Sequence, residues 1–125
     1  MNTIRNFVKK KPMKDLAPGI FRQRAVIEGI PHKKLTDDEI KDYLKGLSDV
    51  LHMLTLIEPV THRSPKYGEA AWIHWEASGA HFYAWDMPKL FFSVDIYTCK
   101  PFILADAVNY TKQFFNISHI EYMEY

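Results

Sequence analysis

Residues 69–85, EAAWIHWEASGAHFYAW, hold two alternating runs separated by a Ser-Gly pair. In the first run Ala71, Ile73 and Trp75 fall on one side and Ala70, Trp72, His74 and Glu76 on the other. This is the period of two that a pleated strand imposes. AHFYAW reads as a second strand, and Ser78-Gly79 between them reads as a hairpin turn.

The flanking sequence supplies the other elements. RQRAVIEGI predicts a strand carrying Ala25 and Ile27. Thr36-Asp37-Asp38-Glu39 is a capping box, in which the threonine accepts from the backbone N–H three residues on and the glutamate reaches back. Behind it Ile40, Tyr43, Leu44, Leu47 and Leu51 recur at helical spacing, predicting a helix over about 37–51 with one apolar stripe. MLTLIEPV predicts a strand ended by Pro59, followed by the loop THRSPKYG. LFFSVDIYT predicts another strand, with Val94 and Ile96 opposing Ser93, Asp95 and Tyr97, and Cys99 continuing the polar side. Pro101 opens a helix in FILADAVNYTKQFF that Asn116 stops, and ISHIEYMEY closes the chain as a strand. The order β-α-β-β-β-β-α-β predicts an α+β two-layer sandwich: a mainly antiparallel sheet with helices on one face.

Composition sets the class. A chain of 125 residues supports one core rather than two. Hydrophobic residues at 47% and charged residues at 25% are those of a soluble globular protein. One cysteine leaves no internal disulfide and fits a reducing, cytoplasmic setting. No run reaches the length of a membrane span, and the N-terminus lacks the apolar stretch of a signal peptide. The net charge of +1 hides a basic start, with Arg5, Lys9, Lys10, Lys11, Lys14, Arg22 and Arg24 against Asp15 alone. Such an arm attracts phosphates, but no aromatics alternate with its lysines as single-strand binding favours. Residues 1–20 are therefore expected to be a flexible arm without a nucleic-acid partner, and 21–125 the folded domain. His74, His81 and Cys99 carry no ligand-spacing signature, so no metal is expected.

Four features are spaced along this frame: HRSPKYG at 62–68, Ser78, Trp85 seven residues later, and DIYTC at 95–99 ahead of a helix. Together they resemble the short bacterial and archaeal S-adenosylmethionine decarboxylases over roughly Arg22 to Tyr125, best over 62–115. That family pattern runs His-Arg to Tyr-Gly, then a strand, Glu-Ser-His, His-x-Trp, and a strand ending Asp-x-Phe-Thr-Cys. The tyrosine-to-serine and serine-to-tryptophan intervals match without a gap, and the interval to the cysteine needs one extra residue.

The resemblance implies a pyruvoyl group made from the chain itself. Ser78 attacks the preceding carbonyl, the resulting ester eliminates, and the chain splits between Ala77 and Ser78. The ketone so formed captures a substrate amine and takes up electrons as carbon dioxide leaves, and Cys99 reprotonates the product carbon. The substrate is S-adenosylmethionine, or a basic amino acid such as ornithine or arginine. A homodimer, or a heterodimer with a homologue, is implied as the assembly.

The chain departs from the pattern at Ala77 and Gly79, where the family has glutamate and histidine around the serine. The processing histidine falls on Tyr83, a processing serine on Ala70, the adenine-stacking aromatic near Ser64, and a further acid on Asp86 or Met87. His81, three residues from Ser78, is the substitute base if a turn at Gly79-Ala80 brings its imidazole back. An imidazole titrates near ~6.5 and a phenol near ~10, which ranks His81 ahead of Tyr83. The catalytic candidates are thus Ser78, Cys99, His81 and Tyr83, and the substrate-binding candidates Tyr67, Glu69, Trp85 and Asp86. The other reading is an unprocessed relative, serving as a binding or regulatory subunit or using S-adenosylmethionine in a different reaction.

Overall fold

The computed structural model describes residues 13–125, so the arm's Arg5, Lys9, Lys10 and Lys11 lie outside the described residues. The elements are β1 (Gln23–Gly29), α1 (Asp37–Val50), β2 (Thr55–Ser64), β3 (Gly68–Trp75), β4 (Ser78–Trp85), β5 (Phe91–Thr98), α2 (Leu104–Phe115) and β6 (Ile120–Glu124). The predicted order and α+β class hold. The six strands form one sheet in the order β2-β3-β4-β5-β1-β6, and every neighbouring pair is antiparallel.

Strand parity sorts the sheet into two unlike faces. Ala25 and Ile27, Ala71, Ile73 and Trp75, Ala80 and Phe82, and Val94 and Ile96 are buried beneath the helices. α1 lays Ile40, Tyr43, Leu44 and Leu47 on that face, and its start carries the predicted capping box. α2 adds Ala107, Val108 and Thr111 and ends at Asn116, whose left-handed conformation stops the helix as expected. Tyr43 ties the layers together. Its hydroxyl meets Thr111 Oγ1 at 2.7 Å, its carbonyl accepts from Tyr110 Oη, and its ring packs edge-on against Phe82.

Three local expectations change. β2 runs through Pro59 to Ser64 instead of stopping there. It is an edge strand, so the missing N–H costs no ladder bond on its open side, and a register shift between Ile57 and Val60 absorbs the ring. The hairpin turn is Glu76-Ala77, not Ser78-Gly79, because Ser78 already pairs with Trp75. α2 begins at Leu104, three residues after Pro101.

Two buried polar groups have opposite consequences. Trp75 Nε1 donates to Ser48 Oγ at 2.7 Å in the core, with Ser48 itself 2% exposed. At the β2–β3 edge, Glu69 is 3% exposed, and Arg63 Nε lies 2.9 Å from its Oε1 without the alignment of a hydrogen bond. Burial raises the Glu69 carboxyl above the ordinary glutamate range, and the neighbouring Asp37 adds to this while Arg63 opposes it.

Ser48→Ala leaves the indole N–H without a partner and should cost about 1–3 kcal/mol in urea denaturation. For Glu69 the sign follows from linkage. A carboxyl whose folded pKa exceeds its unfolded one costs stability once ionised, and that cost vanishes below about pH 4, where both states are protonated. Glu69→Gln should therefore raise the urea midpoint at pH 7, and the two proteins should converge as the pH falls to about 4. A lower midpoint at pH 7 would show that the Arg63 ion pair outweighs the burial.

Candidate functional site

Ser78 opens β4 and pairs with two strands at once, opposite Trp75 of β3 and Thr98 of β5. Its φ of 118° lies in a region that a side chain disfavours, so the tight turn holds the residue under backbone strain. Cys99 follows directly after β5, and its N–H donates to the Ala77 carbonyl oxygen at 2.8 Å. Ser78 Oγ lies 3.5 Å from Cys99 Sγ, and this is the one side-chain hydrogen bond of Ser78 among the described residues. Thr98 Oγ1 fixes the bend after the thiol by donating to the Lys100 carbonyl at 2.7 Å. The Ala77 carbonyl, the serine and the thiol are thus brought together by long-range pairing.

His81 and Tyr83 are not part of that group. Gly79 and Ala80 belong to a regular strand, so no turn folds the imidazole back and His81 stands roughly 10 Å along β4 from Ser78. Both side chains lie on the open face, stacked with ring centroids 6.0 Å apart. Tyr83 is pushed above the ordinary phenol range, by burial first and then by the Asp95 charge, which makes it a weaker proton acceptor. A Cβ at Gly79 would run into the Ile73 carbonyl oxygen, so the position after the serine accepts only glycine on this backbone.

The substrate-binding candidates lie at the other end of the sheet. Trp85 is seven residues along β4 from Ser78, or roughly 24 Å. Glu69, Trp85 and Asp86 line one recess with Lys34 and Arg63, but its volume of about 10 Å³ admits no more than a water. Asp86 is held below the ordinary carboxylate range by Lys34, whose Nζ is 3.2 Å away. Tyr67 is exposed in the β2–β3 turn.

A second opening, wider than that recess, was not singled out in the sequence. A cleft of about 360 Å³ lies on the open face over β1 and β5, and its Tyr97 pairs with Gly79, the residue after Ser78. Arg24, Val26, His81, Asp95, Tyr97 and Tyr125 line it. The alternation of DIYTC placed Asp95 and Tyr97 on one face, but Arg24 was grouped with the basic arm because its neighbours in sequence are basic. Arg22 sits beside this end too. Its charge is held chiefly by the Asp15 hydrogen bond at 2.9 Å, with smaller help from Tyr97 and Cys99. Among the described residues no three His, Cys, Asp or Glu side chains converge as metal ligands, and no helix is long and apolar enough to cross a membrane.

A pyruvoyl group, where the family carries one, derives from the serine at this position. A strained serine, a preceding carbonyl already polarised by an N–H and a thiol at the serine oxygen fit the group.

Comparison with known proteins places the chain. No curated protein matches it. Among solved structures it is similar to the adenosylmethionine decarboxylase from Aquifex aeolicus VF5, with a TM-score of 0.68 and 17% identity, covering 85% of this chain and 89% of that one. At that identity the likeness speaks for the fold. The family model described as S-adenosylmethionine decarboxylase matches residues 26–125, which span β1 to β6, and on that match the chain belongs to the S-adenosylmethionine decarboxylase family.

Proposed function

We propose that the chain splits itself between Ala77 and Ser78 and then acts as a pyruvoyl-dependent amino-acid decarboxylase on S-adenosylmethionine or a basic amino acid. The observation that carries this reading is the Cys99 N–H on the Ala77 carbonyl beside the strained Ser78. When Ser78 Oγ attacks that carbonyl carbon, the negative charge that develops on oxygen meets a donor already in place. The Oγ–C bond forms, the Ala77–Ser78 C–N bond breaks, and the hydroxyl proton passes to the freed nitrogen. Loss of the Ser78 Cα proton with cleavage of its Cβ–O bond then releases the Ala77 carboxylate. Tautomerisation and hydrolysis expel ammonia and leave the ketone. Relief of the backbone strain at residue 78 favours the break.

The pyruvoyl group supplies the electron sink for the loss of carbon dioxide. The chain's own part is to hold the substrate against it and to return one proton to the product carbon, and the 3.5 Å between Cys99 Sγ and Ser78 Oγ supports giving that transfer to the thiol.

A dimer fits the same reading. The open face exposes Ile57, Val60, Tyr97 and Met123. A second copy or a homologue laid antiparallel across it would bring its Trp85 end over the Ser78 end of the first, joining candidates that one chain keeps roughly 24 Å apart.

One observation favours the unprocessed reading: among the described residues no imidazole or carboxylate is hydrogen-bonded to the Ser78 hydroxyl, whose partner is Cys99.

Intact-mass analysis separates the two. The first reading expects fragments 1–77 and 78–125, the second ending in a pyruvoyl group, and an unsplit Ser78→Ala chain. A wild-type chain that stays whole after long incubation establishes the binding or regulatory relative instead. For protein that has split, Cys99→Ala should lower release of labelled carbon dioxide by roughly 10²- to 10⁴-fold. An unchanged rate would move the proton return to another group.

A further inference from the structure

Arg24 and Asp95 face the same cleft, and neither is ion-paired among the described residues, where the pairs are Arg22–Asp15, Lys33–Glu39, Lys34–Asp86 and Arg63–Glu69. They are diagonal neighbours on one face, since Arg24 is opposite Tyr97 and Val26 opposite Asp95. Instead of reaching Asp95, the guanidinium lies over the Tyr97 ring, 4.4 Å from its centroid. The sheet therefore holds a cation and an anion apart with a void between them. A ligand that fills it must carry the complementary charges at the same separation.

We propose that this cleft binds a basic amino acid, with Arg24 taking the carboxylate and Asp95 the side-chain cation. The orientation rests on the decarboxylase reading of Ser78. Arg24 is opposite Tyr97, the residue that also pairs with Gly79, so a carboxylate held there lies beside the Ser78–Cys99 end. Asp95 is three residues from Thr98, the partner of Ser78, or roughly 10 Å along β5. A side chain of ornithine or arginine length extends from the Ser78 end towards Asp95, and a short one stops before it. Both cations donate hydrogen bonds to a carboxylate, and the planar guanidinium of Arg24 receives a carboxylate on two N–H groups. The sulfonium of S-adenosylmethionine has no hydrogen to donate to Asp95, and its purine finds the face of Tyr97 already covered by Arg24.

Titration calorimetry on Ser78→Ala protein, which cannot split, tests the cleft apart from the chemistry. Ornithine and arginine should bind roughly tenfold or more tighter than norvaline, which has the carboxylate but no side-chain cation. Asp95→Asn should remove that margin while Asp95→Glu keeps part of it. Arg24→Gln should weaken all three ligands by roughly 10- to 100-fold. Asp95 is exposed, and circular dichroism confirms that each variant keeps its fold. Norvaline binding as well as ornithine, no binding by any of the three, or tighter S-adenosylmethionine binding that ignores Asp95→Asn would each overturn the proposal. A wild-type chain that never splits would overturn the decarboxylase reading and leave the binding result standing. A split chain with an indifferent cleft would overturn the cleft alone.

Discussion

The register at Ser78 is the constraint on which the rest of the molecule depends. Because this residue pairs with Trp75 on one side and Thr98 on the other, it fixes the alignment of β3, β4 and β5 together. A slip of one residue would turn Phe82 and Ala80 outward and bring His81 and Tyr83 under the helices, reversing both faces of the central sheet. The same register sets the Cys99 N–H against the Ala77 carbonyl. Core packing and the geometry at the turn are therefore specified by one alignment, and the apolar face that stabilises the sheet also holds residue 78 in its strained conformation.

Both helices cover one face, and this gives the two faces different work. Under the helices the polar groups are few and mostly paired, as with Tyr43 to Thr111 and Trp75 to Ser48. Glu69 is the exception, at an edge where Arg63 reaches in from β2. In the single chain the open face leaves Arg24, His81 and Asp95 exposed to water, where an unpaired charge carries little penalty. Charges that would be intolerable in the core remain available there for a ligand.

Much of the fold was legible because strand parity and helix caps are local. The alternation at 70–76 correctly separated Trp75 from Trp72, and the capping box and Asn116 marked the helix ends where they fall. Pro59 misled because its cost depends on whether a strand lies at an edge, which is a property of the sheet and not of the segment. The turn was misplaced by two residues because Ser-Gly is a stronger turn signal than Glu-Ala, and pairing with two strands overrode it. The family spacing singled out Ser78 and Cys99 separately, and only the folded chain shows them 3.5 Å apart. Arg24 was missed because its partners, Tyr97 and Asp95, are some seventy residues away in sequence.

The strand pairing also explains how the departures from the family pattern fit together. The position after the serine faces the Ile73 carbonyl too closely for any side chain, so an imidazole there would require β3 and β4 to separate. His81 cannot replace it, since a regular strand carries it away from the turn onto the open face. For the proposed cleavage, a proton carrier for Ser78 would come from the β5 side, where Cys99 stands against the hydroxyl. In the proposed scheme, assigning the thiol both tasks creates no conflict, because cleavage would happen once, before any turnover. A thiol that has relayed the serine proton ends that step protonated, which is the form needed to return a proton to the product carbon.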